Sequence, residues 1–501
     1  MPQATLPFGD WRPDMMLLDN QFASIADNVF PALNCYKPIP SLLPLTNLTM
    51  PTGPCVGLTS VRRQDGTWDI YGGSPSHLYR WAPSGWIDVT RTVGGTYNVP
   101  SGELWSFAQF GVNLIAVQIG DVPQSIVVDP PGAAFAALGG SPPQAHNCHV
   151  VGDFLVLGRL AANPRQIQWS AINNTTGWTI GLNLCDLQEF PEGGPVVGVT
   201  GNETVAYVLQ DTNVRLMQFL PGDITYIFDF TRILKDKGCV GEYAFTVWAD
   251  VCYFLAEDGF YALAGSQLIP IGQDKVNEWF LANSDQGRRY LTQVITTNRP
   301  YIVWAFYSTS ASRSYDRMII YNWVNQRWAT GTVSALIYAM LGGRFLDLDT
   351  TGSEPGDAYL DSPPAPLPPN QPQSLDSPIY LGGHPTVYAV DTQGRLCSLT
   401  GPNLPATLQT VEAHLVPGMR SFASNVYPLG DTAQGLVTAY TRERLGDAAT
   451  VAEANVPIEV TGSASVLTSA RLHRFTLATP SGDSWTNAQG LLVDAQPDGY
   501  A

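Results

Sequence analysis

The chain contains little charge. Only 14% of its 501 residues are Asp, Glu, Lys or Arg, whereas an average soluble protein has about 25%. The 26 Lys and Arg residues are outnumbered by 43 Asp and Glu, which gives a formal net charge of −17. Affinity for nucleic acid depends on Lys and Arg contacts to phosphate, and an acidic surface repels a polyanion. We therefore predict that the chain does not bind DNA through its phosphates.

Residues typical of metal and catalytic sites are also sparse. The seven cysteines are scattered and never form C-x-x-C, so neither a zinc knuckle nor a disulfide framework is indicated. Among the six histidines only His146 and His149 are close, with Cys148 between them. Strand alternation would place these two histidines on opposite faces, which makes a poor metal site. We predict no metal, no cofactor and no catalytic residues.

Several motifs are missing. The sequence has no phosphate-binding glycine loop and no G-x-S-x-G nucleophile turn. It shows no secretory signal and no run of 18 apolar residues, so we expect no membrane span. These gaps argue against nucleotide-dependent enzymes, serine hydrolases and membrane proteins.

What the chain does contain is turn formers and strand formers. It has 47 glycines and 39 prolines, 11% aromatic residues and 45% hydrophobic residues. Glycine and proline favour tight turns, whereas aromatic and β-branched residues favour strands. The composition predicts an all-β fold of many short strands.

One segment shows the pattern most clearly. Between Val251 and Ile271, three apolar runs are separated by Glu257-Asp258-Gly259 and Gly265-Ser266-Gln267. Asp-Gly between apolar runs is a strong hairpin signal. The segment predicts a three-stranded meander.

Similar patterns recur with an aromatic signature. Tyr79-x-Trp81 leads to Trp86, and Tyr321-x-Trp323 leads to Trp328, so both segments read Y-x-W-x4-W. We interpret each as two strands joined by a four-residue turn. Meanders recurring every 35 to 50 residues, with candidate starts near 56, 103, 147, 195, 240, 290 and 378, favour a β-propeller of about six or seven blades. A multi-sandwich assembly is the alternative fold.

Three regions are predicted. Residues 1–55 are too rich in proline for a long helix and are predicted to be an extended N-terminal arm, packed on its own domain or on a neighbouring subunit. Residues 56–403 form the propeller, with an exposed proline-rich loop at 361–378 and a short helix near 273–281. Residues 404–501 form an antiparallel β unit, either a closing blade or a small sandwich.

Several motifs together resemble structural proteins of short-tailed phages, namely the head-to-tail hub, tail nozzle and packaged-DNA stabilisation proteins. These motifs are Trp11-x-Pro13-Asp14, Asn28-Val29-Phe30-Pro31 with Tyr36-Lys37-Pro38, the hairpin from Asp258 to Gly265, the helix Lys275–Phe280, and the C-terminal Arg471-x-His473-Arg474, Gly482-x-x-Trp485 and Ala488-x-Gly490-Leu491. The resemblance extends over most of the chain.

The resemblance implies a virion protein, synthesised in the bacterial host cytoplasm, that forms a six-fold homo-oligomeric ring with portal, adaptor and other tail proteins. DNA would pass through the ring without sequence-specific binding. Candidate residues of an assembly arm are Trp11, Pro13, Asn28, Phe30, Pro31 and Tyr36. Candidate residues of an acidic loop or lumen are Asp347, Asp349, Glu354, Asp357 and Asp361, although a solvated loop is the alternative interpretation of that stretch.

Two other functions remain open from the sequence. The chain could be a tail-associated propeller that binds or hydrolyses host surface glycan, with Trp81, Trp86, Trp323 and Trp328 as sugar platforms. Blade packing is the alternative role of these tryptophans, because they lie within the repeat itself. An intracellular scaffold propeller is the third possibility.

Overall fold

The computed structural model of the chain describes residues 2–16, 18–82, 84–202, 205–222, 227–297, 299–341 and 386–499. The acidic candidates Asp347, Asp349, Glu354, Asp357 and Asp361 and the proline-rich segment 361–378 lie outside the described residues. The described chain is built mainly from antiparallel β-sheets, which confirms the predicted all-β class.

The N-terminal segment contributes five short strands to sheets whose other strands come from distant parts of the chain. They are β1 (Gln3–Pro7), β2 (Ala23–Asp27), β3 (Val29–Pro31), β4 (Tyr36–Pro38) and β5 (Leu43–Thr49).

Seven four-stranded antiparallel meanders follow within the described residues. Meander 1 contains β6 (Leu58–Arg62), β7 (Trp68–Gly73), β8 (Leu78–Ala82) and β9 (Gly85–Asp88); meander 2 contains β10 (Ser106–Phe110), β11 (Asn113–Val117), β12 (Gln124–Val127) and β13 (Ala136–Ala137); meander 3 contains β14 (Ala145–Val151), β15 (Phe154–Leu160), β16 (Gln166–Trp169) and β17 (Asp186–Glu189). Meander 4 contains β18 (Val196–Gly201), β19 (Val205–Gln210), β20 (Asn213–Phe219) and β21 (Phe228–Lys235); meander 5 contains β22 (Phe245–Trp248), β23 (Val251–Ala256), β24 (Gly259–Ala264) and β25 (Gln267–Pro270). Meander 6 contains β26 (Gln293–Thr296), β27 (Tyr301–Phe306), β28 (Arg317–Asn322) and β29 (Arg327–Gly331); meander 7 contains β30 (Ile337–Leu341), β31 (Thr386–Val390), β32 (Arg395–Ser398) and the N-terminal strand β5.

A short helix, α1 (Asn277–Asn283), and a 3₁₀ helix (Gln286–Leu291) connect meanders 5 and 6. The helix overlaps the region 273–281 where the sequence predicts one, but it begins four residues later and ends two residues later. Phe280 is buried and Trp279 is partly buried against the same core, as their helical spacing requires.

The first strands of the meanders lie side by side. Contacts join β10 to β14, β14 to β18, β18 to β22, β22 to β26 and β26 to β30, and β30 also packs beside β6. Meanders 1 and 2 meet through Trp105, whose Nε1 donates to Ser74 O at 2.9 Å, and through Gln109, whose Nε2 donates to Arg62 O at 2.7 Å. This arrangement is compatible with a β-propeller.

Six of the predicted repeat starts lie within five residues of an observed first strand. The seventh, near 378, lies outside the described residues, and the described first strand of meander 7 is Ile337–Leu341. The fourth strand of this meander comes from the N-terminal segment, where Leu43 and Pro44 pair with Ser398 and Cys397. Residues 43–49 therefore lie in the last meander, although the sequence assigned them to the arm.

Glycines let neighbouring meanders approach each other. A Cβ on Gly73 would lie 2.3 Å from Cδ1 of Trp105, and one on Gly198 would lie 2.1 Å from Cζ of Phe245. Each glycine belongs to one meander, and the aromatic ring belongs to the start of the next. Close packing of this kind leaves no room for a side chain at the glycine.

The C-terminal region contributes seven strands to two sheets. They are β33 (Ala406–Thr410), β34 (Ser421–Gly430), β35 (Leu436–Arg442), β36 (Thr450–Pro457), β37 (Ala464–Ala470), β38 (Leu472–Thr479) and β39 (Ala488–Pro497). One sheet has the order β3-β4-β39-β34-β37, with β1 also paired to β39, and the other continues meander 6 as β29-β2-β33-β38-β35-β36.

These two sheets bury one shared core between them, and we call this two-sheet unit the sandwich. Leu408 and Phe475 from one sheet and Val426 and Leu491 from the other belong to the same buried cluster. Strand β2 lies between β29 and β33, so meander 6 and the sandwich share a continuous sheet. Of the two interpretations of the C-terminal unit, the described strands favour the small sandwich.

The two Y-x-W-x4-W segments form hairpins with different registers. Trp81 pairs with Trp86 across the β8–β9 turn, where Ala82 pairs with Gly85. In the second segment Tyr321 pairs with Trp328, and Trp323 lies in the longer turn. The predicted four-residue turn is therefore wrong for the first segment, because a shared letter spacing does not determine the turn length.

Candidate functional site

The predicted arm residues lie inside their own chain. Trp11, Asn28, Phe30 and Tyr36 are all buried. Phe30 stacks on Tyr301 with ring centroids 4.8 Å apart. The backbone oxygen of Pro31 accepts a hydrogen bond from Asn322 Nδ2 at 2.9 Å, and Pro13 is partly buried.

The W-x-P-D motif caps helix α1. The two carboxylate oxygens of Asp14 accept hydrogen bonds from the backbone N–H groups of Glu278 and Trp279, each at 2.9 Å. Trp11 packs edge-to-face against Trp279 with centroids 4.9 Å apart. Two motifs 264 residues apart thus form a single contact. A carboxylate at this position satisfies N–H groups that have no partner within the helix.

Arg327 holds the N-terminal segment in place. Its guanidinium donates to the backbone oxygens of Ala32 at 2.8 Å, Leu33 at 3.2 Å, Phe8 at 3.1 Å and Gly9 at 2.7 Å. The same group is ion-paired with Asp10 at 3.0 Å and lies over the ring of Tyr36. We call this set of contacts the Arg327 clamp.

Asn28 connects three segments. Its backbone adopts a left-handed φ of 59°, a conformation that asparagine tolerates better than most residues. Its Oδ1 accepts from Thr332 N at 2.7 Å and its Nδ2 donates to Pro405 O at 2.8 Å. These side chains contact their own chain, and their role in assembly stays a prediction.

The tryptophans considered as sugar platforms are packing residues in this structure. Trp328 is fully buried. Trp81 and Trp86 pack against the core between meanders 7 and 1, and Trp323 packs against the core that the sandwich shares. Their positions favour the blade-packing interpretation.

A cluster of titratable side chains joins three meanders that are distant in sequence. Glu103 precedes β10, His146 lies on β14 and Glu242 precedes β22. The Nδ1 atom of His146 lies 3.1 Å from Oε2 of Glu103 and 3.2 Å from Oε2 of Glu242. All three ligand-type atoms lie within 4.8 Å of one another. We call Glu103, His146 and Glu242 the central cluster.

Charges around the central cluster are partly balanced. Arg159 on β15 is ion-paired with Oε1 of Glu242. The hydrogen bond from His146 lowers the pKa of Glu103, against the opposing effect of burial. Burial raises the pKa of Asp211, which Arg159 partly offsets. The region therefore concentrates ionisable groups in a partly dehydrated position.

A second contact connects the same meanders. The hydroxyl of Tyr243 accepts a hydrogen bond from the backbone N–H of Leu104 at 2.9 Å. Tyr243 precedes meander 5 and Leu104 precedes meander 2. Burial raises the pKa of Tyr243 far above its usual value, so the phenol is neutral.

An open cleft of ≈1080 Å³ adjoins the central cluster, because Glu103 belongs to its lining. Segments around meanders 1, 6 and 7 and the 3₁₀ helix form most of the remaining wall, including Arg288, Arg313 and Tyr307. Arg288 is ion-paired with Asp285 at 2.7 Å and lies over the Tyr307 ring, whereas Arg313 is exposed. The cleft therefore presents both positive and negative groups.

The sequence did not reveal the central cluster. In the sequence, His146 stands out only beside its neighbours Cys148 and His149. In the structure these neighbours have other partners: Cys148 contacts Ser106, and His149 Nε2 lies 3.2 Å from Gly201 O. The partners of His146 are 43 and 96 residues away. No local spacing signals such a set, since three separate meanders supply its members.

No protein-family model and no curated protein matches this chain. Among the described residues, the helices are too short or too polar to span a membrane.

Proposed function

We propose that this chain is a structural subunit of a tailed-phage particle. Six copies form a ring at the head-to-tail junction or tail nozzle, where the ring retains packaged DNA and conducts it during ejection. The particle and its DNA follow from the sequence resemblance. The geometry of the subunit supports the rigid and self-associating parts of the proposal.

In this proposal the seven meanders form a closed seven-bladed propeller. The contact between β30 and β6 supports closure, because it joins the last meander to the first. Strand β5 supports it further, since a segment that precedes meander 1 completes meander 7. Closure of this kind ties early and late parts of the chain into one stiff body.

DNA passes through the lumen that the ring of subunits surrounds, and not through the centre of one subunit's propeller. The central cluster and the bond between Tyr243 and Leu104 connect meanders 2, 3 and 5, which are not all neighbours. Contacts between such meanders extend across the space that the first strands surround, so this space is not free for DNA. With a formal charge of −17 per chain, the walls of a larger ring lumen would repel DNA and let it slide.

The observation that best supports self-assembly is the exposure of strand β36. It is the last strand of its sheet, and its side chains are exposed on both faces, including Val451 at 55%. Leu467 on strand β37, which contacts β36 from the other sheet, is 64% exposed. An edge strand with unpaired backbone groups and exposed apolar side chains is suited to contact another copy. The partner that we propose for this edge is a second copy of the chain.

Mass photometry and negative-stain electron microscopy test the proposal. We expect rings several times the 54.2 kDa subunit mass, alone or after mixing with portal and adaptor proteins. Val451→Lys should abolish the rings, and Val93→Lys, at an even more exposed valine in the loop after meander 1, should not. A chain that stays monomeric in every mixture would contradict the proposal.

Glycan binding is the alternative, and the cleft is the feature that favours it. Incubation with host surface polysaccharide separates the two functions. Release of reducing sugar, or retention of the protein on the polysaccharide, would support a tail-associated glycan protein. Ring formation without either result supports the structural function.

A further inference from the structure

The central cluster brings three side chains of metal-ligating type to one point. An imidazole nitrogen and two carboxylate oxygens come from segments before or within the first strands of meanders 2, 3 and 5. We propose that Glu103, His146 and Glu242 bind one divalent transition-metal ion, with Zn²⁺ as the best match. Imidazole and carboxylate groups are both common ligands of Zn²⁺.

The distances suit a tetrahedral ion. Zn²⁺ binds nitrogen and oxygen at about 2.0–2.1 Å, which puts any two ligand atoms of a tetrahedron about 3.3–3.4 Å apart. The two distances from His146 Nδ1 are 3.1 and 3.2 Å. These two distances therefore need to lengthen by only a few tenths of an ångström, and the two carboxylate oxygens lie within 4.8 Å of each other.

A metal ion also resolves an imbalance in hydrogen bonding. Nδ1 can carry one proton, yet it faces an oxygen of each of two carboxylates. One N–H cannot form two well-directed hydrogen bonds to these oxygens. A divalent cation in place of this proton would bind both oxygens and the nitrogen, while the neutral imidazole supplies its lone pair.

Arg159 orients one of the ligands. Its guanidinium pairs with Oε1 of Glu242, and the other oxygen, Oε2, faces His146. An outer partner that fixes a ligating carboxylate is a general feature of metal sites. With neutral His146, the two glutamates and Arg159 carry a net charge of −1, so a divalent cation enters a site of opposite charge.

The cleft supplies the fourth ligand. Glu103 belongs to the central cluster and also lines the cleft, so water from the cleft can reach this side of the ion. Three protein ligands and one water complete a tetrahedron. The ion would brace three meanders at once, which gives the site a consequence for stability that does not depend on the phage function.

The test uses the purified full-length chain after treatment with a chelator. Zn²⁺ uptake is measured by mass spectrometry of the metal after dialysis, and by calorimetric titration. We expect one ion per chain in the wild type, and at least roughly 10- to 100-fold weaker binding in His146→Asn and Glu242→Gln. The matched control is His414→Asn, since His414 Nδ1 also faces a carboxylate, that of Asp19 at 2.7 Å, but only one.

A spectroscopic measurement on the wild type keeps the test decisive if a variant fails to fold. Co²⁺ substituted for Zn²⁺ should give the visible absorption of a tetrahedral site, and Zn²⁺ should displace it. Absence of this band, or wild-type protein without stoichiometric Zn²⁺, would overturn the proposal. Unchanged uptake by folded His146→Asn protein would overturn it as well.

Discussion

The meanders and the sandwich are assembled by opposite routes. Within meanders 1 to 6, each strand pairs with the next strand in sequence. In the sandwich, Gln3 pairs with Asp494 and Ala26 pairs with Leu408, so the two ends of the chain must meet. The meanders depend on local contacts and the sandwich depends on contacts across most of the chain. Contacts of high sequence separation form late and slowly in folding.

The difference determines where single substitutions should act. A change within one meander removes contacts to its immediate neighbours. A change in the N-terminal segment affects the sandwich, the edge of meander 6 and the cap of α1 together, because β1 to β4 have no local partner sheet apart from each other among the described strands. Hydrogen exchange measured by mass spectrometry can follow both regions in one experiment.

The largest effect is expected from Arg327→Met. The substitution removes the Arg327 clamp, so several backbone oxygens lose their donor and Asp10 keeps only its ion pair with Arg12. A buried acceptor left without its donor costs about 1–3 kcal/mol, and the Arg327 clamp supplies the donor for several of them. We expect sandwich peptides to exchange faster than those of meanders 1 to 4, and a lower midpoint in urea unfolding.

The control for this prediction is Arg313→Met at an exposed arginine. It should change the free energy of unfolding by less than about 0.5 kcal/mol. Equal acceleration of exchange in every meander by Arg327→Met would show that the two regions unfold as one unit. That result would remove the distinction between them.

A local counterpart is Gly73→Ala in meander 1. The added methyl group would lie 2.3 Å from the Trp105 ring, so meanders 1 and 2 must move apart. Overpacking of this kind costs about 1–3 kcal/mol. Faster exchange should be confined to these two meanders, while Gly446→Ala, where a Cβ meets no atom within 4 Å, should have no such effect.

A smaller effect is expected at the cap of α1. Asp14→Ala removes the acceptor for two helical N–H groups, and such caps contribute about 0.5–2 kcal/mol. Asp14→Asn keeps an oxygen and should lose less. Exchange within Asn277–Asn283 reports the change, and equal losses in the two variants would contradict the capping role.

The same contrast explains what the sequence predicts well. The meander from Val251 to Ile271 was predicted correctly and is confirmed, with Ala256 paired to Gly259 and Ala264 to Gln267. Alternating apolar runs and glycine turns are local signals, so they can be read without knowing the rest of the fold. The first strands of six meanders could be placed for the same reason.

Long-range features left no such signal. The prolines near Tyr36 indicated an extended segment, but its partner Arg327 lies 291 positions away. The central cluster was missed because Glu103, His146 and Glu242 each look ordinary in their own segment. Which distant segments meet depends on how the meanders close and how the ends pair, and residue spacing does not record either.

The smallest predicted effect is a pH dependence of the sandwich at His473. The side chain is fully buried, and burial lowers its pKa, although the backbone oxygens of Ala470 and Ser421 accept from Nε2 at 3.1 Å and oppose the shift. The nearby charges of Glu443 and Arg420 act in opposite directions. Below about pH 6.5 the unfolded chain binds a proton that the folded chain does not, so stability should fall as the pH falls.

His473→Gln removes this titration and should flatten the slope of stability against pH in sandwich peptides, whereas His77→Gln in meander 1 should leave that slope unchanged. Because the group is single, the effect should be smaller than that of the Arg327 clamp, and an identical slope in wild type and His473→Gln would show that the imidazole does not remain neutral in the folded sandwich.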